Sequence, residues 1–195
     1  MKKSITLIGA LMVAILVLTA CGGSKSEGDA DPSELGWDDA VQSVNDAKTA
    51  QEKFDIIGRY AFKEGYVSTD IKYDLNNASF DSDGNVDESK TPIDQINVNT
   101  KLNDNFTQNL MVKKFLRSST EVLEATKDVQ YNNIFIGAMA TFTDQYGKES
   151  EDYAAKLNIS KDEVNKIDFE NFLFDNLDGI ADLWVNPSIE YKGNK

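Results

Sequence analysis

Carboxylates crowd one short stretch of this chain, Asp81-Ser82-Asp83-Gly84-Asn85-Val86-Asp87-Glu88. Oxygen donors at alternate positions, here Asp81, Asp83, Asn85 and Asp87, are what a hard cation such as Ca²⁺ takes as ligands. Counted as a calcium loop that starts at Ser79, the stretch places Asp81, Asp83, Gly84, Val86 and Asp87 correctly. It fails at both ends, since Ser79 replaces the first Asp and Lys90 stands where a bidentate Glu belongs. The competing reading is a polar turn that uses Asp83-Gly84 for its positive φ angles, and the two failed ends favour the turn.

Other chemistries find little to work with. The chain of 195 residues has no histidine and one cysteine, which leaves no Ser-His or Cys-His pair and no zinc site built on His and Cys. Carboxylate or lysine chemistry stays open in principle, but no spacing singles out a dyad, so the composition argues against an enzyme. Trp184, Tyr146, Tyr153, Tyr191 and the Phe169–Phe174 cluster are candidates to line a ligand pocket, against the plainer reading of core packing. Lys113, Lys114 and Arg117 are candidates for a basic patch facing an acidic wall polymer. In a chain of net charge −13 a solvated helix face is the simpler reading of them.

The lone cysteine has a more specific setting. Lys2 and Lys3 precede an uncharged run from Ile5 to Leu18, and the small residues Thr19 and Ala20 follow. A basic head, a short apolar middle and a small-residue cut site make a secretory signal, and the run is short against the roughly 20 residues of a spanning helix. Leu18-Thr19-Ala20-Cys21 resembles a lipobox, the site at which bacterial lipoprotein precursors are diacylated on Cys and cut just before it. The resemblance implies a mature chain that starts at Cys21, carries diacylglycerol on its sulfur and is held at the extracytoplasmic face of the cell membrane. Gly22 is not the Asp of Gram-negative inner-membrane retention, and the two-lysine head with its Gly/Ser linker resembles a Gram-positive lipoprotein. The discarded heptapeptide Ala14–Ala20 (AILVLTA) also resembles the peptide sex pheromones that some Gram-positive bacteria release from lipoprotein signals. Loss of residues 1–20 removes two lysines and no acids, taking the net charge from −13 to −15. Such a chain has no electrostatic footprint for nucleic acid and is repelled by anionic lipid, so membrane contact falls to the acyl chains.

The elements that must position these groups follow from periodicity. Residues 22–34 (GGSKSEGDADPSE) have no large apolar side chain and read as a tether. The organisation is then a signal peptide over 1–20, a lipidated cysteine and tether over 21–35, and one extracytoplasmic domain over 36–195. With Cys21 acylated no disulfide forms, so the domain stands on its apolar core, for which about 160 residues suffice. Trp37 to Lys63 carries helical spacing, as one helix or a pair broken near Asn45-Asp46. Val67, Thr69, Ile71, Tyr73 and Leu75 alternate as a strand, and Ile96, Val98, Thr100 and Leu102 as its hairpin partner. A helix over Thr107–Lys127 buries Leu110, Phe115, Val122, Leu123 and Ala125. Tyr131–Thr143 is apolar on both faces, the mark of a central strand covered on each side. Tyr153, Ala155, Leu157 and Ile159 alternate as a fourth strand, and Ser160-Lys161-Asp162-Glu163 is a capping box that opens a short helix. The Phe- and Leu-rich tail from Phe169 to Trp184 packs back as helical turns. The expected fold is α+β, with a helix or helix pair followed by an antiparallel sheet of about four strands in ββαββ order.

From about Asp70 to Ile189 the chain is similar to a small domain found in Gram-positive lipoproteins and their mobile elements. The similarity rests on Asp81-Ser82-Asp83-Gly84-Asn85, Phe142-Thr143-Asp144-Gln145-Tyr146-Gly147, Ile167–Phe172 and Ile180-Ala181-Asp182. Asn186-Pro187-Ser188-Ile189 departs from the His-Pro-Ala-like ending of that domain, so no histidine acts there. The resemblance implies a shape and no activity. The expected function is a non-enzymatic surface lipoprotein whose domain binds another protein or an envelope component. The alternatives are a ligand-capturing accessory of a transporter, an exclusion or immunity lipoprotein of a mobile element, and a pheromone precursor.

Overall fold

The structure is a computed structural model that describes residues 31–102 and 108–193. Leu18, Thr19, Ala20 and Cys21 lie outside the described residues, as does the heptapeptide Ala14–Ala20. Two helices open the fold, α1 over Trp37–Asp46 and α2 over Ala50–Phe62, so the break near Asn45-Asp46 is real. A capping box starts α2: Thr49 Oγ1 accepts from the Glu52 N–H at 3.1 Å, and Glu52 accepts from the Thr49 N–H at 3.1 Å. Strands β1 (Tyr66–Tyr73) and β2 (Ile93–Lys101) form the expected antiparallel pair, and α3 (Gln108–Ala125) follows. Then come β3 (Asn133–Thr143), β4 (Glu149–Ser160), the short helices α4 (Lys161–Val164) and α5 (Leu177–Ile180), and β5 (Asp182–Val185).

The class is α+β, and the sheet differs from the expected one in two ways. It has five strands in the order β1-β2-β3-β4-β5, the last drawn from the tail that was expected to be helical. It is also mixed, because β2 and β3 run parallel: α3 carries the chain from the end of β2 back to the start of β3. Pro32–Glu34, which composition assigns to the tether, forms a 3₁₀ turn packed on α2, where Lys63 Nζ donates to the Ser33 carbonyl at 2.7 Å. Among the described residues no helix is long and apolar enough to cross a membrane.

The buried core lies on one side of the sheet. Phe54 and Ile57 of α2 and Val112, Phe115, Leu116, Val122 and Leu123 of α3 are buried against Ile96, Val98, Ile134, Ile136, Ala138 and Leu157. Ser118 joins the two helices, its hydroxyl donating to the Ala61 carbonyl at 2.6 Å. Leu110, expected on the buried side of α3, is instead 51% exposed, and the buried face begins at Met111 and Val112. β3 is the central strand, but it is covered by helices on one face only. Phe135 and Met139 on its other face stay partly accessible.

Candidate functional site

The uncovered face of the sheet is organised in rows that cross every strand. One row reads Trp184, Lys156, Gly137, Asn99 and Ser68, each paired with the next across β5, β4, β3, β2 and β1. Its neighbour reads Asp182, Asn158, Phe135, Asn97 and Asp70. Alternation decides which residues face this way: in β2 the buried Ile96, Val98 and Thr100 leave Gln95, Asn97 and Asn99 on the other side. Four inter-strand steps of about 4.8 Å make each row about 19 Å long.

Half of this face is aromatic. The rings of Phe135 and Tyr153 meet edge to face, with centroids 6.1 Å apart. They lie over Gly137, where an added Cβ would stand 2.7 Å from a carbon of each ring, so glycine is what lets them lie down. Lys156 Nζ sits 4.4 Å from the Tyr153 ring centroid and 4.7 Å from that of Trp184, holding the two rings on either side of one cation. Trp184 is 40% exposed, although a strand tryptophan ordinarily turns inward. The other half is amide. Gln95 donates to Asn97 Oδ1 at 2.6 Å, and Asn99 Nδ2 donates to Ser68 Oγ at 3.2 Å and to Asp70 Oδ2 at 3.1 Å. These bonds fix the planar groups in orientation while leaving them at the surface.

Tyr153 reaches this face through an irregularity. The register between β3 and β4 slips between Ala138 and Met139, so Ala154 and Ala155 are both buried and Tyr153 pairs with Met139 on the bare side. Simple alternation puts Tyr153 in line with Ala155, Leu157 and Ile159, and the bulge corrects that. Of the candidate aromatics the structure therefore brings Tyr153 and Trp184 together around Lys156. It does not bring the rest. Tyr146 stands 85% exposed at the β3–β4 turn. The Tyr191 hydroxyl donates to Asp178 at 3.2 Å and is pushed up to about 12 by burial and by that carboxylate. Phe169 and Phe172 pack on each other with centroids 6.4 Å apart, and Phe174 lies under the Arg117 guanidinium.

Two of the basic candidates on α3 face the C-terminal segment, Lys113 pairing with Asp175 at 3.2 Å and Arg117 stacking on Phe174, while Lys114 lines a cavity beside Phe62 and Leu102. The acidic loop is a turn. Gly84 has φ 83°, and Asp81 Oδ1 accepts from the Asp83 and Asn85 N–H groups, both at 2.9 Å. Those backbone donors, Asn85 first, hold the Asp81 carboxyl below the usual carboxylate range. Asp87 is held low by Lys90, at 2.5 Å, and by Ser89. Two of the four proposed Ca²⁺ ligands are thus engaged within the loop. Among the described residues no cluster of three or more Asp, Glu, His or Cys is placed to hold a metal.

Hollows lie elsewhere among the described residues. A cleft of about 600 Å³ opens between the start of α2, the Glu88–Ile93 loop and the Val129–Asn132 turn. A smaller cavity of about 170 Å³ is lined by Phe62, Leu102, Met111 and Phe115. Neither takes in the aromatic candidates, but two more open hollows, of about 250 Å³ and about 440 Å³, are lined in part by Phe172 and by Phe169. The residues that sequence reasoning missed are Lys156, Gly137, Phe135, Asn97 and Asn99. The regular Gln95-x-Asn97-x-Asn99 spacing was their one visible signal. No protein-family model, characterised protein or solved structure matches the chain.

Proposed function

We propose that this chain is a lipoprotein of Gram-positive type, anchored through Cys21 at the extracytoplasmic face of the cell membrane, whose domain binds an envelope component without catalysis. The observation that carries the binding part is the bare sheet face, where Phe135, Tyr153 and Trp184 are held at the surface beside a fixed row of amides. A sheet with one face left open ordinarily shows polar, mobile side chains there. Large rings kept accessible by a glycine and a strand bulge are features of a contact surface. With no histidine in the chain, no Ser-His or Cys-His pair is available for catalysis.

A photo-reactive amino acid placed at Asn158 on the face, or at Asp38 on the exposed side of α1, tests the reading in living cells. Cross-links to the envelope are expected from Asn158 and not from Asp38. Equal products at both positions, or none at Asn158, overturn it. The anchor is tested separately with an alkyne fatty acid: wild type takes up label, and Cys21→Ala takes up none and stays uncut. Undiminished labelling of Cys21→Ala removes the lipoprotein assignment.

A further inference from the structure

The chemistry of the face narrows what can occupy it, and this step rests on the face being the binding surface. We infer that the occupant is an uncharged glycan strand lying across the β-strands, along the row from Trp184 to Ser68. Charge excludes one group of partners first. The chain carries a net charge of −13, and Asp70, Asp182, Glu151 and Asp152 stand exposed on or beside the face. Phosphate-bearing polymers and nucleic acids therefore meet repulsion on approach. The basic groups do not reverse this, because Lys101 is paired with Glu151 at 2.6 Å, Lys156 lies between two rings, and the exposed Lys72 at the β1 edge is a single cation among these four carboxylates.

The contact groups then choose among what remains. A pyranose has an apolar C–H face that stacks on an aromatic ring and an equatorial edge of vicinal hydroxyls. Trp184 and Tyr153 offer rings for the first. Asn99, Asn97 and Asn158 offer planar groups that both donate and accept, which suits neighbouring hydroxyls. The two sets lie in register on adjacent strands, so a chain crossing the sheet meets rings at one end and amides at the other. A row of about 19 Å accommodates a short run of sugar units. A protein partner is less well served. The centre of a protein interface is an apolar patch that excludes water, whereas here β2 and β1 present Asn97, Asn99, Ser68 and Asp70.

The test is calorimetric titration of the full lipidated chain in nanodiscs with two neutral probes, cellohexaose and chitohexaose, and with polyglutamate as the anionic control. Saturable binding of at least one neutral probe is expected, changing less than twofold when NaCl is raised from about 0.05 M to about 0.5 M, since no charge pair is involved. Trp184→Ala is expected to weaken binding about tenfold and Asn99→Ala about fivefold, with Trp184→Phe recovering part of the loss because a ring remains. Circular dichroism melts of the three variants separate loss of contact from loss of fold. The inference is overturned if neither hexaose binds, if polyglutamate binds as well as they do, or if folded Trp184→Ala binds like wild type. Cross-links from Asn158 that persist while no hexaose binds leave the face standing and remove only the glycan. Loss of both removes the two readings together.

Discussion

A methyl group at Gly137 would meet ring carbons of Phe135 and Tyr153 at 2.7 Å, and both rings are tied to their neighbours. Tyr153 cannot swing freely because Lys156 lies against it, and Phe135 is flanked by Asn97 and Asn158 in its row. Gly137→Ala is therefore expected to lift the rings from the sheet at a cost of about 1–3 kcal/mol, the range for overfilling a packed site. Urea unfolding measures that cost, and an unchanged midpoint would show that the rings are loosely held. The same variant should lose hexaose binding further than its stability explains. Chemistry of this kind was hard to read from residue types alone. Glycine in a strand signals a close approach, but not what approaches, and the rings that cover Gly137 lie 2 and 16 positions away in sequence.

At the scale of elements, the start of α2 shows how local signals become structure. Glu52 accepts N–H bonds from Lys48 and Thr49, and these backbone donors hold its carboxyl below the ordinary value of 4.5. A carboxylate whose pKa is lower in the folded than in the unfolded chain stabilises the fold above the unfolded value. That contribution fades as pH falls below about 4.5 and through the folded pKa. Glu52→Gln should accordingly lower stability at neutral pH and flatten the acid limb of a stability–pH profile, the two proteins converging at low pH, and an acid limb identical to wild type would remove the assignment. Thr49→Ala should lower stability by about 1 kcal/mol at neutral pH. The helix start at Ser160, whose hydroxyl accepts from the Glu163 N–H at 3.3 Å, was legible, as were α1–α2, the β1–β2 pair and the existence of β3 and β4, whereas the Thr49–Glu52 capping box went unread. The misses have physical causes. Period-two alternation reports burial and not direction, so the parallel run of β2 and β3 left no trace in it. One extra residue inverts the pattern, which is why Val67 turns out to be 52% exposed beside the β1 bulge and Tyr153 faces away from Ala155. Leu183 and Val185 of β5 alternate over four residues, too few to stand out in a tail rich in Phe and Leu.

For the molecule as a whole, two electrostatic effects oppose each other as salt is added. Screening weakens attractive pairs such as Lys101–Glu151 and Lys166–Glu163, but these are solvent-exposed and worth little individually. Screening also relieves the mutual repulsion within a chain of net charge −13, and this should win. The urea midpoint is expected to rise between about 0.05 M and about 0.5 M NaCl, a range over which the screening length falls from about 14 Å to about 4 Å. A midpoint that falls would mean that the exposed pairs matter more than their setting suggests. The candidate face, by contrast, is whole-molecule information of another kind. It is assembled from five strands drawn from positions 66 to 185, and no stretch of sequence contains enough of it to be noticed.

The 3₁₀ turn at Pro32–Glu34 packs on α2, and α2 belongs to the layer of helices behind the sheet. The described chain thus enters the domain from the back, opposite the row that runs from Trp184 to Ser68. The entry turn therefore leaves the row of rings and amides uncovered, and the helical layer alone meets the incoming chain at Pro32–Glu34.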